Sequence, residues 1–175
     1  VEEVDEGQVG EICVAGPTVT EEYYRMPGAT FDSKFRYDSQ IYHRMGDLGY
    51  FDVDLSLRFL GRKAERLNTK HGPLETERCE AIVNTVNGVR RSALVGLGQQ
   101  DPVEPCVVIE PNEEFQNQNA KDEIEGEVLR RLKVHLPHFE ITQMRFENSL
   151  PVDARHNAKI HRLALAKKWT KRLAP

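Results

Sequence analysis

Three side chains stand out by type and placement. Asp47 follows Gly46 and precedes Leu48-Gly49, so a carboxylate lies where glycines let the backbone turn tightly. There it can accept two hydrogen bonds from neighbouring hydroxyls. Arg62 follows Gly61 at the end of an apolar run, and its planar fork of donors can reach the same ligand. Lys159 stands just before an amphipathic stretch, at a helix start where the dipole is already positive, so its placement needs some other benefit. Two have an ordinary alternative on chemistry alone: Gly-Asp as a plain hairpin turn, and Lys159 as a helix-start lysine in water.

The elements that must position them follow from local pattern. Residues 41–66 read as three short strands, 41–44, 48–51 and 57–60, with turns at Gly46-Asp47 and at Asp52 and Asp54. Upstream, 8–15 reads as a strand stopped by Gly16-Pro17, 19–24 as a short helical turn, and 26–40 as a polar loop with Phe31, Phe35 and Tyr37. Downstream, 64–74 reads as a hairpin closing on Lys70-His71-Gly72. Thr76 is the expected N-cap of a helix running to Val86 and ended by Asn87-Gly88. Strands are expected at 89–96 and 104–110, paired antiparallel, and at 141–146. Helices are expected at 121–136, with Ile124, Val128, Leu132 and Leu136 on one face, and at 160–173. The order is that of an α+β fold, a short sheet with packed helices and a β-hairpin.

Composition narrows the class. Of 175 residues, 39% are hydrophobic and 30% charged, the balance of a soluble globular protein, and the net charge of -4 argues against a dedicated nucleic-acid binder. No run is long and apolar enough for a transmembrane segment. Cys13, Cys79 and Cys106 are odd in number and far apart, as expected of reduced thiols in a cytoplasmic protein rather than a disulfide frame or zinc site. His135 and His138 are separated by Pro137, so no metal site is expected there. The basic tail, Arg162, Lys167, Lys168, Lys171 and Arg172, reads as a solvated helix face.

The string Tyr42-x-x-x-Gly46-Asp47-Leu48-Gly49-Tyr50, then Phe59-Leu60-Gly61-Arg62-Lys63, then Lys159 after Leu150-Pro151, resembles the adenylate-forming (AMP-binding) enzymes: acyl-CoA synthetases, peptide-synthetase adenylation domains and luciferases. The resemblance implies that Asp47 holds both ribose hydroxyls of ATP, that Arg62 assists, and that Lys63 is the hinge between two domains. It implies that Lys159 contacts the acyl carboxylate and the α-phosphate during adenylation, neutralising charge as carboxylate oxygen attacks phosphorus. On this reading 1–62 is the last strip of a large N-terminal domain, part of its small β-barrel subdomain, and 63–175 is the mobile C-terminal domain. The chain, which begins at Val1, is then expected to be a fragment lacking the phosphate-binding loop and inactive alone. ATP and Mg2+ would be bound mainly by the absent N-terminal part, and CoA is a possible second substrate.

Departures from the common pattern refine the resemblance. Ala158 stands where most members have glycine, the stretch from Pro151 to Lys159 is longer than usual, and His71 stands where CoA-using members have glycine, which here comes one step later at Gly72. Arg155-His156-Asn157-Ala158-Lys159-Ile160 and Val89-Arg90-Arg91-Ser92-Ala93-Leu94-Val95-Gly96 resemble the olefin-biosynthesis branch, long described as fatty-acid CoA ligases, which closes 2-alkyl-3-hydroxy acids to β-lactones. A fatty-acid or 2-alkyl-3-hydroxy acid substrate is therefore expected, with ordinary fatty-acid CoA ligation as the alternative. A non-catalytic binding or regulatory domain is the rival of another class.

Overall fold

The computed structural model describes residues 2–153 and 159–173. Contacts divide the chain into two compact units, Val1–Ala64 and Glu65–Pro175.

The first unit is built on one long strand. Its elements are β1 (Gly10–Ala15), a short helix α1 (Pro27–Ser33), β2 (Lys34–Tyr37), β3 (Gln40–Phe51) and β4 (Leu57–Arg62). All three other strands pair antiparallel with β3, which has β1 on one edge and β2 followed by β4 on the other. The expected turn at Gly46-Asp47 is therefore absent: β3 runs straight through it. The register against β1 jumps from Cys13 opposite Arg44 to Glu11 opposite Leu48, so three residues of β3 face one of β1. Gly46 absorbs this bulge at a φ of 69°, which glycine adopts without steric cost. The Gly-Asp signal was real but its geometry belongs to a bulge. Between β2 and β3 the chain reverses at Asp38 and Ser39, both at positive φ, the twist a two-residue hairpin needs.

The segment expected to be a polar loop contains α1, with Pro27 at its start, where a missing N–H costs nothing. The helical turn expected over 19–24 does not form.

The second unit holds the hydrophobic cores. It comprises β5 (Leu67–Thr69), β6 (Gly72–Leu74), α2 (Thr76–Val83), β7 (Val89–Leu97), β8 (Glu104–Pro111), α3 (Gln118–His135), β9 (Gln143–Phe146) and α4 (Arg162–Leu173). β5 and β6 form the expected hairpin. The three-stranded sheet has β8 at its centre, antiparallel to β7 and parallel to β9. Alternate residues divide between two cores. Leu94, Val107 and Ile109 join Cys79, Val83, Ile124, Val128 and Leu132 from α2 and α3. Ala93, Val95, Cys106 and Val108 join Leu150, Ile160 and Leu165 on the other face. A sheet buried on both sides explains the nearly unbroken apolar runs in β7 and β8. Burial also raises the thiol of Cys106 to about 12 and that of Cys79 further still, so both behave as small apolar side chains.

Helix boundaries differ from expectation for local reasons. Thr76 is not a cap but the first helical residue, and it is buried. α2 stops at Val83, where Asn84, Thr85 and Val86 tighten into overlapping short turns. α3 starts three residues early because the Asn117 side chain accepts from Ala120 N–H at 2.9 Å. α4 starts at Arg162, two residues later than the pattern suggests. Among the described residues no helix is long and apolar enough to cross a membrane.

Gly88 joins α2 to β7 at a φ of 88°, and a Cβ there would stand 2.7 Å from the Phe115 ring and 2.9 Å from Ile124. Gly88→Ala should destabilise the fold by about 1–3 kcal/mol, through backbone strain and overpacking together. Urea denaturation of wild type and variant measures it, and an unchanged midpoint would contradict the packing described.

Candidate functional site

In the first unit the bulge sets Asp47 directly opposite Arg62, its register partner on β4. Arg62 Nη1 lies 3.0 Å from Asp47 Oδ1 and donates its hydrogen bond to the Met45 carbonyl at 3.1 Å. The contact with Asp47 is an ion pair without hydrogen-bond geometry. Asp47 Oδ1 is itself buried without a hydrogen-bond donor among the described residues, while the side chain as a whole keeps 20% of its surface exposed. A buried acceptor lacking a donor is costly unless something else supplies one.

Lys63 follows immediately, and its ammonium is held 2.8 Å from Glu11 on β1, which also meets Arg44 at 3.3 Å. Partial burial opposes the charge on Glu11, but hydrogen bonds and charge from Lys63 and Arg44 outweigh it and hold the carboxyl below its ordinary range. Glu11 was not singled out from sequence; it lies in an alternating strand, where a carboxylate reads as the solvent face.

In the second unit Lys159 is exposed and lies at a neck where two segments of the chain pair, rather than against a helix end. Val152 and Ile160 form an isolated antiparallel bridge. Asp153 N–H donates to the Lys159 carbonyl at 2.9 Å, and His161 N–H to the Pro151 carbonyl at 2.8 Å. The departure at Ala158, with Arg155, His156 and Asn157, lies outside the described residues.

Arg162, counted with the solvated basic tail on sequence grounds, is instead the anchor of the neck. Its fork donates to Glu80 at 2.9 and 2.7 Å and to Glu65 at 2.8 Å. Glu80 Oε1 also accepts from Leu94 N–H at 2.8 Å. Burial pushes the Glu80 carboxyl up, and the guanidinium and backbone donors offset that only in part. On the other side of the neck, Leu150 N–H donates at 2.6 Å to Glu110, which is 0% exposed and flanked by Arg90 and Arg91 at 2.9 and 3.0 Å. The signal that could have found both carboxylates is a charge inside an apolar run: Glu80 next to Cys79 on the buried helix face, Glu110 at the end of Cys106-Val107-Val108-Ile109.

The hairpin tip carries the residues expected on the acceptor side. Lys70 Nζ pairs with Glu140 at 2.6 Å, His71 Nε2 lies 3.9 Å from the same carboxylate, and Gly72 takes a φ of 104°. The Lys70 hydrogen bond holds the Glu140 carboxyl below its ordinary range. Lys70, His71 and Glu140 edge a cavity of about 300 Å³ whose other walls include Val103, Pro105 and Phe139. Among the described residues no group of three or more His, Cys, Asp or Glu is placed to hold a metal ion.

No protein-family profile matches the chain. It is 44% identical over 169 residues to an olefin beta-lactone synthetase of Xanthomonas campestris pv. campestris, covering 91% of this chain and 30% of that protein. It is 40% identical over 165 residues to the olefin beta-lactone synthetase of Stenotrophomonas maltophilia, covering 91% of this chain and 29% of that one. The chain therefore spans less than a third of the length of these relatives. The fold is similar to ATP-bound MatB from Rhodopseudomonas palustris, with a TM-score of 0.78 and 25% identity, over 98% of this chain and 32% of that one. In sequence and fold the chain matches the C-terminal, AMP-binding portion of the adenylate-forming ligases.

Arg162→Met leaves the Glu80 carboxylate buried without its counter-charge, and should cost about 3–5 kcal/mol of stability at neutral pH. The sign of its pH dependence is fixed by the raised carboxyl: the folded state prefers it protonated, so this group lowers stability as pH rises through its folded-state titration. Stability of the variant should therefore recover relative to wild type as pH is lowered. Denaturation curves from neutral to mildly acidic pH check this, and a deficit that grows on acidification would contradict it.

Proposed function

We propose that this chain is the C-terminal part of an AMP-forming, carboxylate-activating enzyme, with Asp47 and Arg62 as ribose-binding residues and Lys159 as the adenylation lysine. The observation that carries the reading is the Asp47 oxygen, buried beside a guanidinium and lacking a donor among the described residues. A ribose supplies two hydroxyl donors, the complement such a carboxylate needs. Mg2+ would accompany the nucleotide phosphates and be held mainly by residues of the larger N-terminal part.

In the first half-reaction a substrate carboxylate oxygen attacks the α-phosphorus of ATP, the bond to pyrophosphate breaks, and acyl-adenylate forms. Lys159 neutralises the charge that builds on the phosphoryl oxygens, stabilisation of the kind that dominates such transfers. Lys63 is the pivot about which the C-terminal domain turns between steps, giving way from the Lys159 loop to the Lys70-His71-Gly72 hairpin.

For the second half-reaction we propose closure of a long-chain 2-alkyl-3-hydroxy acid to a β-lactone. The 3-hydroxyl oxygen attacks the activated carbonyl, its proton leaves to a base, and AMP departs. An internal hydroxyl is already beside the carbonyl, so proximity replaces a second substrate. Two observations support this acceptor. The two bacterial relatives at 40% and 44% identity are olefin beta-lactone synthetases. The hairpin tip presents the His71 side chain, near Glu140, where close approach by a thiol arm calls for glycine.

The test uses the full-length protein carrying this sequence. Asp47→Ala should weaken ATP binding by about 1.5–3 kcal/mol for each charged hydrogen bond lost. Lys159→Ala should slow pyrophosphate exchange and spare transfer from preformed adenylate; equal slowing of both half-reactions would sink the assignment. For the acceptor, the protein is supplied with ATP, Mg2+ and either a 2-alkyl-3-hydroxy acid or a plain fatty acid with CoA. Lactone from the first is expected. Acyl-CoA from the second, with no lactone, would make it a fatty-acid CoA ligase.

A further inference from the structure

Lys159 is exposed, so where its side chain can reach depends on how its backbone is held. That backbone is fixed at a narrow neck, and the neck is fastened on both sides to carboxylates buried in the sheet unit. Before it, Leu150 N–H donates to Glu110, and Leu150 is itself 1% exposed. After it, Ile160 is buried in the same core and Arg162 grips Glu80 with two donors. Buried ion pairs of this kind rarely add net stability, because desolvation offsets the attraction, and apolar replacements pack as well. Their distinctive effect is geometric: a bidentate fork and a short backbone bond each tolerate one arrangement.

We propose that Glu110 and Glu80 are positioning residues for Lys159, acting through Leu150 and Arg162 to hold the loop neck in register. This rests on the reading of Lys159 as the adenylation lysine. Phosphoryl chemistry is sensitive to small misplacement, since an ammonium displaced from the developing charge stabilises it far less. Neither carboxylate touches substrate, so loss of an anchor should lower the rate of adenylation rather than the affinity for ATP.

The experiment compares Glu110→Gln and Arg162→Lys with Val128→Ala in the full-length protein. Glu110→Gln keeps shape and removes charge; Arg162→Lys keeps charge and removes the fork. Val128→Ala opens a cavity in the core on the opposite face of the sheet and controls for lost stability alone. The readouts are hydrogen exchange at the Asp153 and His161 amides, kcat and KM for ATP in pyrophosphate exchange, and transfer from preformed adenylate.

Both anchor variants should speed exchange at these amides, and lower the kcat of adenylation, by about tenfold or more, with KM for ATP and the transfer step unchanged. Val128→Ala should do neither. Unchanged amide exchange in the anchor variants, or the same pattern in Val128→Ala, overturns the proposal. So does faster exchange with a normal adenylation rate, if Lys159→Ala abolishes that rate. If Lys159→Ala itself leaves adenylation intact, the functional reading has failed, and the amide exchange alone decides whether the anchors hold the neck. Should Arg162→Lys not fold, Glu110→Gln carries the test.

Discussion

The Glu80 carboxylate lies 4% exposed on the apolar face of α2, beside Cys79 and Val83, and it cannot remain there uncompensated. Three donors answer it: two from the Arg162 fork and the Leu94 amide. Through them one side chain ties together α2, the centre of β7 and the first residue of α4. The fork's remaining donor reaches Glu65, just past the division between the two units. Much of the second unit's tertiary arrangement is implied by that charge. α4 can cover its face of the sheet only in the register that delivers Arg162, and in that register Ile160 and Leu165 fall into the core.

The two units solve the problem of placing a charged group differently. In the first, a bulge in a long strand turns Asp47 toward Arg62, and the backbone itself does the aiming. In the second, Lys159 is exposed and the chain on either side of it is tied to buried carboxylates. On the proposed roles, the difference follows from what each group would meet. A carboxylate that receives hydroxyl donors works best partly shielded from competing water. An ammonium that meets anionic oxygens during a reaction must stay mobile at its tip but fixed at its root.

Local pattern made much of this legible beforehand. The buried strands of the sheet, the face of α3 carrying Ile124, Val128 and Leu132, and the hairpin around Lys70-His71 all follow from periodicity and turn chemistry, which act over a few residues. The proximity of Asp47 and Arg62 is expected from sequence, but through a turn where the structure has a bulge. Whether Gly46 makes a turn or a bulge depends on β1, more than thirty residues upstream of it. The helix over Pro27–Ser33 was hidden because Pro and Gly at its start read as loop signals. Least legible were Glu80, Glu110 and Arg162. The apolar neighbours of Glu80 and Glu110 point to burial, but which remote groups answer their charge is written in no local pattern.

The contacts at the Lys159 neck join positions far apart along the chain: Glu80 with Arg162 across 82 residues, Glu65 with Arg162 across 97, Glu110 with Leu150 across 40. Closing such long loops is slow, and the entropy of closure must be met before the contacts reward it. During synthesis α2 and β7 emerge long before the guanidinium that neutralises Glu80. Until the last helix leaves the ribosome, the buried carboxylate has no counter-charge and one sheet face has no cover. The neck at Lys159 is thereby among the last parts to be fastened, and a polypeptide cut short before Arg162 would be left with an exposed apolar face, the kind of surface chaperones and proteases act on.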